Sequence, residues 1–164
     1  VDASRLAALA AVLVTTLALA AVAGVLFQRS RDAAAVEDYY RPTSAPLEAA
    51  RTAAKVLFSY DHRNLDRDFA AGAALSTGVF RAEYARTTAR VVREVATQYR
   101  AVVVAEPVVA GVQAAEPGEV VAVLFVNQST QSTRVEGTKV DQSRVRMTLV
   151  ERGDTWLVSK VEAL

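Results

Sequence analysis

His62 is the sole histidine of the 164-residue chain, and it stands in a polar stretch with Tyr60, Asp61, Asp66 and Asp68. An imidazole beside carboxylates is the composition of an acid–base pair. Gathered in a pocket between helices and a sheet, Tyr60, His62 and Asp66 would suit an isomerase-like or small-ligand site. The same residues also make an ordinary solvated turn between two helices, and no second catalytic motif accompanies them. The carboxylates lack the alternating Asp/Asn ladder and closing Glu of a calcium loop. With no cysteine, the chain has no disulfide framework, no redox pair and no thiolate metal site. A single histidine excludes any site that needs two imidazoles. Neither a phosphate-cradling glycine loop nor a nucleophile elbow is present, so no catalytic residue, cofactor or metal is expected.

The second chemical feature is basic. Arg86, Arg90, Arg93 and Arg100 gather on one side of a predicted helix, opposite Phe80, Tyr84, Val91, Val95 and Tyr99. Such a stripe can meet an acidic partner or anionic lipid headgroups, and it is also what the wet side of any amphipathic helix looks like. The whole chain carries 19 basic and 18 acidic residues for a net charge of +1, which provides no field to recruit nucleic acid. Arg152-Gly153-Asp154 matches an adhesion tripeptide, but a hairpin turn accounts for its Gly-Asp.

The elements that must position these residues follow from periodicity. Leu47, Ala50, Ala54, Leu57 and Phe58 fall at helical spacing after Pro46, which suits a first helical turn. Asp61 to Asn64 is a polar turn, and a short helix follows over Leu65 to Leu75. Thr77 is placed to cap a third helix that enters at Gly78 and runs to about Tyr99. Beyond Arg100 the period becomes strand-like. Ala101 to Ala115 is valine-rich, and its Glu106-Pro107 predicts an edge strand or a bulge. Pro117-Gly118 is a turn. Glu119 to Asn127 is apolar on both faces, which predicts a central strand covered on both sides. Gln128 to Val140 reads as a long loop or ragged hairpin around Gly137. Arg144 to Glu151 alternates cleanly, Gly153-Asp154 turns, and Thr155 to Leu164 returns with Trp156 and Val158 on one face. Three helices followed by four hairpin-linked strands indicate an α+β domain, its helices on one face of an antiparallel sheet.

Composition adds one more segment. The chain is 52% hydrophobic yet 7% aromatic, and the excess is alanine (32 residues) and valine. Much of it lies in Leu6 to Phe27, 22 residues without a charge, bounded by Arg5 and by Arg29, Arg31 and Asp32. About 20 such residues cross a bilayer as a helix, so one retained membrane anchor is expected. Ala21-Val22-Ala23 resembles a signal-peptidase site, but Val25, Leu26 and Phe27 carry the apolar run past it. Ala20 and Gly24 form a small-xxx-small pair that would allow two such helices to approach, so a homo-oligomer is one expectation. Arg5 before the run against Arg29 and Arg31 after it places the remainder in the cytoplasm by charge count. The expected layout is a flank at 1–5, the membrane helix at 6–27, a juxtamembrane linker at 28–45 and one domain at 46–164.

Several stretches together resemble one family. They are Ser59-Tyr60-Asp61, the run Leu75-Ser76-Thr77-Gly78-Val79-Phe80-Arg81-Ala82-Glu83-Tyr84, Val123-Leu124-Phe125-Val126-Asn127-Gln128, Arg144-Val145-Arg146-Met147-Thr148-Leu149, and Trp156-Leu157-Val158-Ser159. With the anchor ahead of them, the chain resembles the Mce-associated membrane proteins of actinobacteria, where Mce stands for mammalian cell entry. Sixteen arginines against three lysines also suit a GC-rich genome. The resemblance implies a cone-shaped domain like that of nuclear transport factor 2 and of the type IV secretion assembly component. It further implies that the domain is held outside the plasma membrane, against the charge count. The partners it implies are subunits of an Mce lipid importer, which such proteins bind and stabilise without performing chemistry. Thr77, Gly78, Phe80, Tyr84, Asn127 and Trp156 would then be structural, with Phe80, Tyr84 and Trp156 in the core.

Overall fold

The computed structural model describes residues 43–164. The expected span Leu6–Phe27, the Ala20 and Gly24 pair and most of the linker lie outside the described residues. Among those described, no helix is long and apolar enough to cross a membrane. Helix α1 covers residues 43–58, so helix is already formed ahead of the expected Pro46 start. Then follow β1 (Tyr60–Asp61), α2 (Leu65–Ala74), α3 (Gly78–Thr87), a π-turn (Thr88–Val92) and α4 (Arg93–Gln98). Four long strands complete the unit: β2 (Val102–Glu116), β3 (Glu119–Ser132), β4 (Val135–Arg152) and β5 (Thr155–Ala163). The sheet is antiparallel in the order β1-β2-β3-β4-β5, and the helices lie on one face of it.

Alternation along the strands builds the core. Val120, Ala122, Leu124 and Val126 of β3, with Val145, Met147 and Leu149 of β4 and Val158 of β5, point into the helix layer and are buried. Helix α1 answers with Ala50, Ala53, Ala54 and Leu57, which meet Ala105 and Ala122 in the same cluster. Methyl side chains on both surfaces let the helix lie close to the sheet, and this is where part of the alanine surplus is used. A smaller cluster, Leu65, Phe69, Ala96 and Ala101, joins α2 to α4. The α2–α3 junction is stapled to β5: the Thr77 amide donates to the Val158 carbonyl (2.9 Å), and the Val158 amide to the Leu75 carbonyl (2.9 Å).

Five expectations are corrected or decided. The sheet has a fifth strand, because Tyr60 and Asp61 pair with Val103 and Val102 where a turn was expected. Of the two readings of 128–140, long loop or ragged hairpin, the hairpin holds. The β3–β4 hairpin continues through this stretch, turning at Thr133-Arg134, and Gly137 (φ +73°) absorbs the register shift opposite Gln131. Polar side chains on both faces hid this ribbon from the hydrophobic pattern. Thr77 holds the N-cap position of α3, yet its side chain makes no capping bond. Strand β3 is central, but the described residues cover it on one face only: Val121 and Val123 are half-buried on the other face, and Phe125 is 44% exposed there.

The fifth correction concerns the third helix. Val91 and Val95, expected inward, are 59% and 45% exposed. The residues that turn inward are Phe80, Tyr84, Thr88, Val92 and Ala96, four apart throughout. Each step of four overshoots an α-helical turn by about 40°, so a straight helix could not keep all five on one side. The π-turn at Thr88–Val92 takes up the excess, its bond running from the Arg93 amide to the Thr88 carbonyl.

Candidate functional site

Each carboxylate of the acidic turn is paired with an arginine. Asp61 accepts from the Arg63 amide and guanidinium, which hold its carboxyl well below the usual carboxylate range. Asp68 takes the Asp61 amide (2.9 Å) and pairs with Arg67, while Asp66 pairs with Arg93. His62 is half-buried, and its amide donates to the Ala101 carbonyl. Of the trio Tyr60, His62 and Asp66, only Tyr60 faces an internal cavity, where its ring meets Phe69 edge-on at 6.3 Å. The Asp66 carboxylate is thus taken by Arg93, and the His62 ring makes no hydrogen bond to a carboxylate among the described residues. Among the described residues no group of three His, Asp or Glu side chains stands close enough to hold a metal ion.

The four arginines also part company. Arg86 and Arg90, one turn apart, are exposed and have no ion-pair partner among the described residues. Arg93 lies past the π-turn and is rotated inward, where it pairs with Asp66 and stands 5.6 Å over the Phe69 ring. Arg100 ends the helix with a left-handed φ of +49°. There the Ala101 amide closes back on the Ala96 carbonyl at 2.9 Å, a Schellman turn that leads into β2.

Two surfaces can receive a ligand or partner. One is a cavity of about 370 Å³ between the helix layer and the sheet, walled by Leu57, Phe58, Phe69, Phe80, Val92 and Val161. Tyr84, Glu83, Thr87, Thr88 and Gln128 supply its polar groups. Gln128 is tied to the wall by a bond to the Phe58 carbonyl (3.4 Å). The Tyr84 hydroxyl makes no hydrogen bond among the described residues, and burial pushes its pKa up to about 12, helped by the charge of Asp68. Behind Tyr84 lies Gly72, where any side chain would overlap the phenol. The other surface is the sheet face that no described residue covers, where Val109 stands opposite Phe125 and Val121 and Val123 continue the stripe along β3. The free edge of β2 beside it is interrupted by Pro107 and two register shifts, which discourage strand addition.

A family model described as "Uncharacterized protein Rv1363c/MT1408-like" matches residues 3–164. The chain belongs to this family. Two curated relatives from Mycobacterium tuberculosis, MT1407 and Rv1362c, are each 32% identical over 116 residues, 71% of this chain and 53% of theirs. The chain thus spans about half the length of the curated relatives it matches. Among solved structures, an IcmL-like type IV secretion system protein from Legionella pneumophila superposes with a TM-score of 0.62 at 12% identity. It covers 72% of this chain and 88% of that one. The periplasmic domain of DotI gives 0.60 at 14% identity over 74% and 94% of the two chains. CagV, a VirB8 homolog from Helicobacter pylori, gives 0.56 at 11% identity over 71% and 94%. At these identities the likeness is one of fold, and the fold is the one the resemblance implied.

Within this Rv1363c/MT1408-like domain the residues behind the resemblance sit as follows. Phe80, Tyr84 and Trp156 are half-buried against the main core cluster. Gly78 opens α3 at a φ of +58°. Asn127 lies on the uncovered sheet face between Glu106 and Gln142. Sequence reasoning did not single out Gly72, Thr88, Gln128 or Val161. A glycine inside an alanine-rich helix and the regular four-residue spacing from Phe80 to Ala96 are the signals that point to the first two.

Proposed function

We propose that the chain is a non-enzymatic accessory subunit that binds and stabilises an Mce-type lipid-import complex in the cell envelope. In this reading Leu6–Phe27 anchors it in the plasma membrane, and the unit from Thr43 to Leu164 stands on the outer side. The observation that carries it is the uncovered sheet face. Val104, Val109 and Phe125 are 51%, 55% and 44% exposed on one surface of β2 and β3. Val109, Phe125, Val123 and Val121 run side by side there, with Val104 set apart by Glu106 and Asn127, and such an apolar stripe suits association with another protein. The pairing of the turn carboxylates with arginines supports a binding role over catalysis, as does the fold shared with secretion-system proteins.

A second reading, a scaffold subunit of a secretion-type complex, is favoured by those solved neighbours and differs only in its partners. The test is to purify the full chain from native membranes in mild detergent and identify what accompanies it, beside a Phe125→Asp variant. Mce transporter subunits recovered with the wild type and lost with the variant are expected. Secretion-channel subunits in their place select the second reading. No envelope protein in either preparation rejects both.

A further inference from the structure

The cavity beneath α3 and the π-turn has features that partner docking on the sheet face does not explain. Two locally unfavourable choices converge on its wall. Gly72 sits inside a helix, where glycine costs about 1 kcal/mol relative to alanine, and it lets the Tyr84 ring lie back against α2. The π-turn, a rare form that recurs at functional sites, rotates Thr88 and Val92 to face the same space. A side chain at position 72 or a regular helical turn would alter this wall.

The lining decides what fits. Leu57, Phe58, Phe69, Phe80 and Val161 make the walls apolar, and about 370 Å³ lies within the range of about 300–1,000 Å³ usual for small-molecule sites. No lysine, arginine or histidine lines it. The groups there that no described residue holds are the Glu83 carboxylate and the hydroxyls of Tyr60, Tyr84 and Thr87, and Asp68 adds negative charge near the Tyr84 phenol. An anionic ligand would meet the like charge of Glu83 at the cavity and of Asp68 near the phenol.

We propose that this cavity binds a neutral, largely apolar small molecule bearing one hydrogen-bonding group, admitted past Glu83 and Thr87 and held at its polar end by Tyr84. The experiment uses the full chain in lipid nanodiscs and two photoreactive probes of the same skeleton, neutral benzophenone and anionic 4-benzoylbenzoate, with adducts mapped by peptide mass spectrometry. Benzophenone is expected on the peptides that carry Phe58 and Phe80 to Tyr84, about fivefold or more above 4-benzoylbenzoate. Thr87→Trp, at an exposed helical position, should abolish most of this labelling by closing the mouth. Glu83→Gln should narrow the difference between the probes. That variant leaves partition into lipid unchanged, so it separates charge selection in the cavity from uptake by the bilayer. Absence of adducts at these residues, equal labelling by the two probes, or labelling unchanged by Thr87→Trp would overturn the proposal.

Discussion

Val120, Ala122, Leu124 and Val126 point from β3 into the helix layer and are buried, while Val121, Val123 and Phe125 point the other way from the same strand. The two faces have nearly the same hydropathy and different surroundings. Leu124 has no exposed surface, and its neighbour Phe125 keeps 44%. Hydrophobicity on both faces reports that a strand is central, because β2 and β4 flank it in either case. It does not report that a second layer exists. Where the covering layer is absent from the described residues, the apolar face is free to serve association. The inner face should therefore carry stability and the outer face binding.

The sharpest way to break this contrast is to truncate the two neighbours. Leu124→Ala should destabilise the full chain by about 2–5 kcal/mol, the range for emptying a packed leucine site. Phe125→Ala should shift stability by less than about 1 kcal/mol and instead reduce co-purification of envelope proteins. Denaturant unfolding followed by Trp156 fluorescence checks both. Equal losses would mean that the outer face is as structural as the inner one.

Two glycines make the next comparison. Gly72→Ala drives a methyl into the Tyr84 ring, and overpacking of this kind costs about 1–3 kcal/mol. Gly111 lies on the open side of β2, where a methyl would meet nothing within 4 Å, so Gly111→Ala should be neutral or slightly stabilising. The same unfolding measurement reads both variants, and a harmless Gly72→Ala would remove Gly72 from its role in seating Tyr84.

Arginines on the two sides of the third helix should differ by less. Arg93 is partly exposed, so its pairing with Asp66 and its place over Phe69 together are worth about 0.5–1.5 kcal/mol, lost in Arg93→Ala. Arg90→Ala, with no ion-pair partner among the described residues, should change stability by no more than about 0.5 kcal/mol. Identical effects would show that the π-turn does not reorient the arginines after it in solution.

How much of this was legible depended on whether one period governed a segment. Leu47, Ala50, Ala54 and Leu57 follow a regular helix, and Val145, Met147 and Leu149 a regular strand, so those inner faces could be read directly. The third helix could not, since a fixed angle per residue assigns Val91 and Val95 to the core, and the π-turn hands that place to Val92 and Ala96. The ribbon beyond Gln128 is polar on both faces and leaves no periodic trace. The cavity depends on residues from α1, α2, α3 and the sheet meeting in space, with Gly72 defined by its distance to Tyr84 and not by its neighbours in the chain. The acidic turn was visible as a cluster, but the arginine partners that neutralise it come partly from 27 residues away, as with Asp66 and Arg93.

The last effect is one of pH, silent near neutrality, and it tests the inner side of the helix without changing its shape. Burial, with Asp68 adding to it, pushes Tyr84 up to about 12, from an ordinary value near 10 in the unfolded chain. A raised pKa in the folded state means that the protonated phenol contributes stability fully below about pH 10. The unfolded chain ionises first, so this contribution is lost as pH rises from about 10 to about 12. Tyr84→Phe should therefore flatten part of the alkaline fall in stability and leave the neutral-pH value nearly unchanged, since the hydroxyl has no partner to lose among the described residues. Ultraviolet titration of phenolate should show one tyrosine fewer titrating late in the variant. If Tyr84 instead titrates near its ordinary value of about 10, the phenol stands in water, and the buried polar end assigned to the cavity is absent.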